Sequence, residues 1–297
     1  MAVELTVVER LNKARITLTK DDGGHPYFSY LLMHMRGQAV DKSVVPTMGV
    51  DARGGLWYCE EYVKSISDEE LIGVLCHEAL HVVLHHLVRR SKSWNPQLAN
   101  VAEDILVNHF ILQEGFTLPS NTLTSKDGVF TFDGRTGKVK IDELNRKTVA
   151  EVYSILETNA RILKVPSKCP LCGGTGKVKP KQDSSGKSGP GKGEGQDKDG
   201  DQGKGQGKGQ DQDQDQDKGQ GKGQGKGGEQ GESGGAEHKC PMCGGSGGLK
   251  YDLPSGHDIH MTDRDPDGSE ISDEEAENAS EEWKLRSAEA SAIAKQR

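Results

Sequence analysis

The sequence is poor in aromatic residues, which make up 5% of its 297 positions, and hydrophobic residues reach only 32%. A chain this thin in apolar side chains cannot pack as one uniform globule. The shortage is uneven. Twelve of the 14 aromatics lie before residue 166, whereas 26 of the 39 glycines lie between Gly173 and Gly248. No apolar run approaches the roughly 18–20 residues that cross a bilayer, so no membrane association is expected. The opening stretch, MAVELTVVERLNKAR, sets Glu4, Glu9 and Arg10 inside its apolar pattern. That excludes a secretory core and points to a cytoplasmic protein. An excess of basic charge is also missing: 38 Lys and Arg face 46 Asp and Glu, for a net charge of −8. This balance disfavours a dedicated nucleic-acid binder.

What is present suggests four parts. Residues 1–165 carry enough apolar pattern for a core. Residues 166–176 and 239–250 hold two cysteine pairs. Residues 177–238 are Gly/Gln/Lys/Asp repeat with almost no apolar side chains. They cannot offset the entropy of ordering, and a flexible, disordered insertion is expected. Residues 251–297 form an acidic tail that ends in a helix.

Within the first part, apolar spacing predicts helices over residues 3–19 and Tyr27–Met35. Val44–Val50 and Leu56–Cys59 flank the turn signal Arg53-Gly54-Gly55, which reads as a β-hairpin. Ser67-Asp68-Glu69-Glu70 is a capping box, opening a helix expected to run to Arg90. Further helices are expected over Gln97–Gln113 and Thr148–Thr158, with loop and short strands over 116–146. Ser272-Asp273-Glu274-Glu275 is a second capping box, and its helix holds Trp283 and reaches Arg297 without a stop signal. The expected class is α+β, mainly helical with a small β-hairpin.

The helix after Ser67 carries His77-Glu78-Ala79-Leu80-His81, an H-E-x-x-H motif. Residues four apart lie one turn apart on one helical face, so both imidazoles can reach one tetrahedral zinc. Glu78 beside them suits a general base for a bound water. Apolar residues surround nearly the whole helix, and two buried histidines and a buried carboxylate are costly unless paired. A bound zinc would satisfy all three. A third ligand is needed. His85 continues the spacing, but on a straight helix it stands roughly 12 Å along the axis from His77, too far to share an ion. It is a candidate to line the cleft or support the ligands from behind. His86 is expected to point away from the ligand face and be structural. The next helix offers Glu103 and Asp104, and Asp104 shares a face with Asn108. Asn108 is a second candidate supporting residue. Tyr153 and His109 are candidates to stabilise an oxyanion, with no spacing argument for either.

The hairpin, HEALH, the later His86 and Arg89, and the pattern Asn100-x-Ala102-x-Asp104-x-x-x-Asn108 together resemble a family of predicted bacterial and phage zinc metallopeptidases. The resemblance covers residues 1–165. It implies Asp104 rather than Glu103 as third ligand, and a zincin-like fold with the hairpin's edge strand above the HEALH helix. Members often carry a von Willebrand factor A-like domain downstream and are associated with ATPases, so these are the implied partners beside a polypeptide substrate. The final helix resembles the one that leads into that downstream domain, which this chain does not reach.

The remaining motif is doubled. CPLCGGTG (Cys169–Gly176) and CPMCGGSG (Cys240–Gly247) are two copies of C-x-x-C-x-G-x-G. Four thiolates at Cys169, Cys172, Cys240 and Cys243 are the ligand set of a closed structural zinc site. Both copies resemble repeats of the DnaJ cysteine-rich region. Lengthening the intervening loop fourfold costs only ~1.2 kcal/mol of closure entropy, against roughly 10–16 kcal/mol from structural zinc. The polar repeat therefore reads as an insertion looped out of a zinc module. Cys59 and Cys76, single within apolar patterns, read as buried small hydrophobes. Two functions follow from two zinc sites, one catalytic and one structural. One is a zinc-dependent peptidase with Glu78 as general base. The other is a non-catalytic adaptor that keeps the metallopeptidase fold.

Overall fold

The computed structural model describes residues 5–20, 23–91, 93–178, 238–240, 242–253 and 271–296. The expected insertion, apart from its ends at 177–178 and 238, lies outside these residues. All described residues belong to one packing unit, spanning 1–181 and 235–297. Its helices and strands place it in the α+β class.

Helices α1 (Val7–Thr17) and α2 (Pro26–His34) come first. The start of α1 is set by a capping box of Thr6 and Glu9. Strand β1 (Arg36–Ala39), which no periodicity announces, pairs in parallel with β3 (Gly55–Tyr58), and β2 (Met48–Val50) pairs with β3 antiparallel. The expected hairpin is thus β2–β3, inside a sheet of order β1-β3-β2. Its turn is fixed by Asp51, which accepts the Arg53 and Gly55 backbone N–H groups at 2.8 and 2.9 Å and the Trp57 indole N–H at 2.8 Å.

After the short helix α3 (Glu60–Ser65), the Ser67–Glu70 capping box opens α4 (Asp68–Val83). The expectation that this helix runs to Arg90 is corrected here. It stops at Leu84, His85 takes a left-handed conformation (φ 59°, ψ 32°), and α5 (His86–Arg89) restarts in a new direction. No glycine marks the break. The left-handed turn costs an L-residue about 1–2 kcal/mol, so tertiary contacts must hold it. Among them, His85 Nδ1 lies 2.9 Å from Ser280 Oγ.

Helix α6 (Pro96–Gln113) has Asn95 as its cap, its oxygen accepting the Gln97 and Leu98 N–H groups. It is buried almost all round and packs on α4 and on α7 (Val149–Asn159). Between them lie β4 (Phe130–Gly134) and β5 (Gly137–Ile141), an antiparallel pair. Strand β6 (Arg161–Lys168) leads into the first cysteine pair, and β9 (Gly248–Asp252) leaves the second and pairs with β6. Strands β7 (Lys177–Val178) and β8 (His238–Lys239) also pair, so the cysteine module extends into both ends of the expected insertion.

The last helix, α8 (Asp273–Ala294), starts at the Ser272–Glu275 box and ends before Arg297. It does not stand apart as a tail. Trp283 is buried in the same core as α1, α2 and α4, and its indole N–H donates to Arg53 O at 3.0 Å. Gly54, at φ 82°, lets the hairpin turn meet that ring; a Cβ there would stand 2.4 Å from it. Ion pairing of Arg53 with Glu275 and a Tyr27–Ser287 hydroxyl contact extend the seam. Cys59 and Cys76 are buried. Among the described residues, no helix is long and apolar enough to cross a membrane.

Candidate metal centre

Antiparallel packing of α4 and α6 brings the HEALH face against the Asp104 face. His77, Glu78, His81 and Asp104 are each no more than 2% exposed. His77 Nε2 and His81 Nε2 lie 3.0 Å apart, and Asp104 Oδ1 lies 3.7 and 3.3 Å from them. Three ligand atoms bonded at about 2.1 Å to one tetrahedral ion stand about 3.4 Å from each other. The triangle therefore has the size that a zinc ion needs, and its donors are those that zinc prefers.

Asn108, one turn beyond Asp104, accepts from His77 Nδ1–H at 2.7 Å. That bond puts the His77 proton on Nδ1 and leaves the Nε2 lone pair facing His81 and Asp104. His86, expected to point away, is instead turned back by the helix break. Its Nδ1 lies 3.1 Å from His81 Nδ1, and the rings meet edge to face. Glu103 completes this neighbourhood: its carboxylate, His81 and His86 offer ligand atoms all within 4.8 Å of one another. Arg90 donates to both Glu103 oxygens, from Nε at 3.1 Å and from Nη2. Helical periodicity brings neither His86 nor Arg90 to this centre, because their placement follows from the left-handed His85.

His85 joins neither group and meets Ser280 on α8. Burial, then the nearby Arg89 and Lys284 charges, push its pKa down. Tyr153 is also engaged elsewhere. Its hydroxyl accepts the Asn95 N–H at 2.9 Å, donates to Glu157 at 3.2 Å, and its ring stacks on Trp94. His109 meets Ser125 Oγ at 2.9 Å, and burial lowers its pKa. Strand β2, the sheet edge that lies on α4, is itself buried.

The second candidate centre joins the two cysteine pairs. All four are buried, with Sγ–Sγ separations of 3.7 Å for Cys169–Cys240 and 3.8 Å for Cys172–Cys243. Four sulfurs held at about 2.3 Å by a tetrahedral zinc stand about 3.8 Å apart. The two halves repeat each other. Cys169 N–H donates to Gly247 O, and Cys240 N–H to Gly176 O. Gly176 N–H and Gly247 N–H each donate to a sulfur, Cys172 and Cys243, at 3.3 Å. Both glycines have φ near 75°, and a Cβ on either would strike the opposite backbone within 2.4 Å. Burial pushes the Cys172 thiol up, but the Gly174 and Gly176 N–H groups and the neighbouring Cys169 and Cys240 outweigh it and bring it to about 7. Burial pushes the Cys240 thiol up. Gln97 ties this module to α6 through its amide, donating to Tyr251 O at 3.0 Å and accepting from Tyr251 N–H at 3.4 Å.

A family model described as "putative metallopeptidase domain" matches residues 6–295. The chain belongs to that metallopeptidase family. The match takes in the cysteine module and α8 as well as the HEALH helix, in keeping with their packing as one unit. Neither the curated proteins nor the solved structures give a match.

Proposed function

We propose that this member of the metallopeptidase family is a zinc-dependent hydrolase of peptide bonds, with His77, His81 and Asp104 as ligands of a catalytic zinc and Glu78 as general base. The observation that carries the proposal is the triangle of 3.0, 3.3 and 3.7 Å between three donors on two helices. Zinc, when bound, would polarise the scissile carbonyl and acidify a water. Glu78, on the helix turn between the two histidines, takes the proton of the attacking water and returns it to the departing amine. Asn108 holds His77 in the tautomer that can ligate. Packing of β2 on α4 supports a zincin-like arrangement, and the near-ideal sulfur spacing supports a structural zinc at Cys169, Cys172, Cys240 and Cys243.

A second reading, a non-catalytic zinc-binding adaptor, draws on one observation. The HEALH centre and the β2 edge beside it are both buried in this conformation, so a substrate must displace something to reach them. Glu78→Gln separates the readings. The peptidase predicts retention of two zinc ions and a fall of about 10²–10⁴ in the cleavage of a broad peptide library. Wild-type cleavage by the variant overturns the mechanism, and no cleavage by either protein favours the adaptor.

A further inference from the structure

The group formed by His81, His86 and Glu103 has the residue types of a second metal site. Two features argue against an ion there. Arg90 already pairs with both Glu103 oxygens, and a divalent ion beside that guanidinium meets a like charge in a buried setting where screening is weak. The contact with His81 also runs through Nδ1, the nitrogen opposite the one that faces His77 and Asp104. An imidazole that ligates through Nε2 carries its proton on Nδ1 and needs an acceptor there.

We propose that His86 and Glu103 are positioning residues for His81, with His86 accepting its Nδ1–H, the Glu103 carboxylate standing within 4.8 Å of both rings' ligand atoms, and Arg90 orienting Glu103. This rests on the assignment of His81 as a zinc ligand. Asn108 performs the same service for His77 from α6. The two histidines are thus held from opposite sides, one by the neighbouring helix and one by the chain that turns back after α4. The turn gives a role to the left-handed, non-glycine residue at His85. On a continued helix His86 would be rotated well over a quarter-turn from His81 and more than a turn away. The break, braced by Ser280 of α8, returns it to 3.1 Å. The C-terminal helix therefore braces the turn that brings His86 to the centre.

The test measures zinc stoichiometry and affinity in the full chain, with a competing chromophoric chelator, and the visible spectrum of the cobalt-substituted protein. His86→Ala and Glu103→Gln should each weaken the non-cysteine site by about 10–100-fold and shift its cobalt bands. The four-cysteine zinc should stay bound, which serves as the folding control. His86→Asn, whose side-chain oxygen falls near the lost Nδ1, should recover affinity to within a few-fold. If His86→Ala disturbs folding, Glu103→Gln and His86→Asn still decide the matter. Unchanged affinity and spectrum in Glu103→Gln and His86→Ala, with two ions in wild type, overturn the positioning role alone. Three ions in wild type overturn it in favour of a second metal site. One ion in wild type, held by the cysteines, overturns both this inference and the catalytic zinc on which it rests.

Discussion

The two candidate centres reach similar ligand spacing by opposite routes. In the cysteine module each half builds its own geometry. A short C-x-x-C-x-G-x-G segment turns on its glycines, points backbone N–H groups at sulfur, and repeats the pattern in the second half. The HEALH centre has no such local frame. Its donors come from two helices, its supporting groups from α6 and from the segment after α4, and its brace from α8, nearly 200 residues along the chain. A centre made of local turns is readable from spacing and tolerates a long insertion. A centre made by packing depends on every element that packs.

The strongest way to break this comparison is to remove a sulfur. Cys240→Ala should abolish the structural zinc, which supplies roughly 10–16 kcal/mol in small zinc modules, and expose the module to limited proteolysis. Zinc analysis should show the His77 centre still loaded. Loss of both ions would show that the Gln97–Tyr251 tie makes the centres one folding unit.

Next in size is Trp283→Ala. The indole is 1% exposed, and deleting such a side chain costs about 3–5 kcal/mol. Chemical denaturation should register that loss, with weaker zinc binding at the HEALH centre and unchanged binding at the cysteines. A neutral result would detach α8 from the core described above.

Asn108→Ala tests the centre more gently. Removing the acceptor of His77 should lower zinc affinity there by about 10–100-fold, or ~1.4–2.7 kcal/mol. Chelator competition reads it, and an unchanged constant would mean that packing alone orients the ring.

The smallest effect concerns the entry to α4. Hydrogen bonds from Lys13, then Arg10, hold the Asp68 carboxyl below its ordinary pKa. A depressed carboxylate stabilises the fold above its unfolded value of about 3.9, and that stability is lost as pH falls through the folded value. Asp68→Asn should therefore cost no more than ~1 kcal/mol near pH 7, since the pair is partly exposed. The gap between variant and wild-type melting temperatures should close as pH falls below the ordinary carboxylate range. A gap that persists in acid would assign the effect to capping geometry.

Legibility followed the same division. The start of α4 at Ser67 and the span of α6 could be read from caps and helical periodicity, which offered Glu103 and Asp104 alike; the family resemblance singled out Asp104. Strand β1 could not: Arg-Gly-Gln-Ala has no alternation, is exposed throughout, and exists because β3 offers a parallel partner. The β6–β9 pairing was hidden by the long separation of its strands in sequence. The expectation for His86 failed for a specific reason. The helix breaks at Leu84 and His85, which are neither glycine nor proline and so give no sign of a stop.

By itself the sequence determined the donors and their spacing: imidazoles one turn apart, four thiolates in two glycine-turned loops, and the caps that start the helices. These are properties of a few consecutive residues, set by backbone geometry and side-chain chemistry. Only the tertiary structure decided what stands behind each donor. A left-handed residue without glycine, a parallel four-residue strand and the docking of a distant helix through Trp283 are each locally unfavourable or locally silent. They persist because contacts from distant residues outweigh their cost.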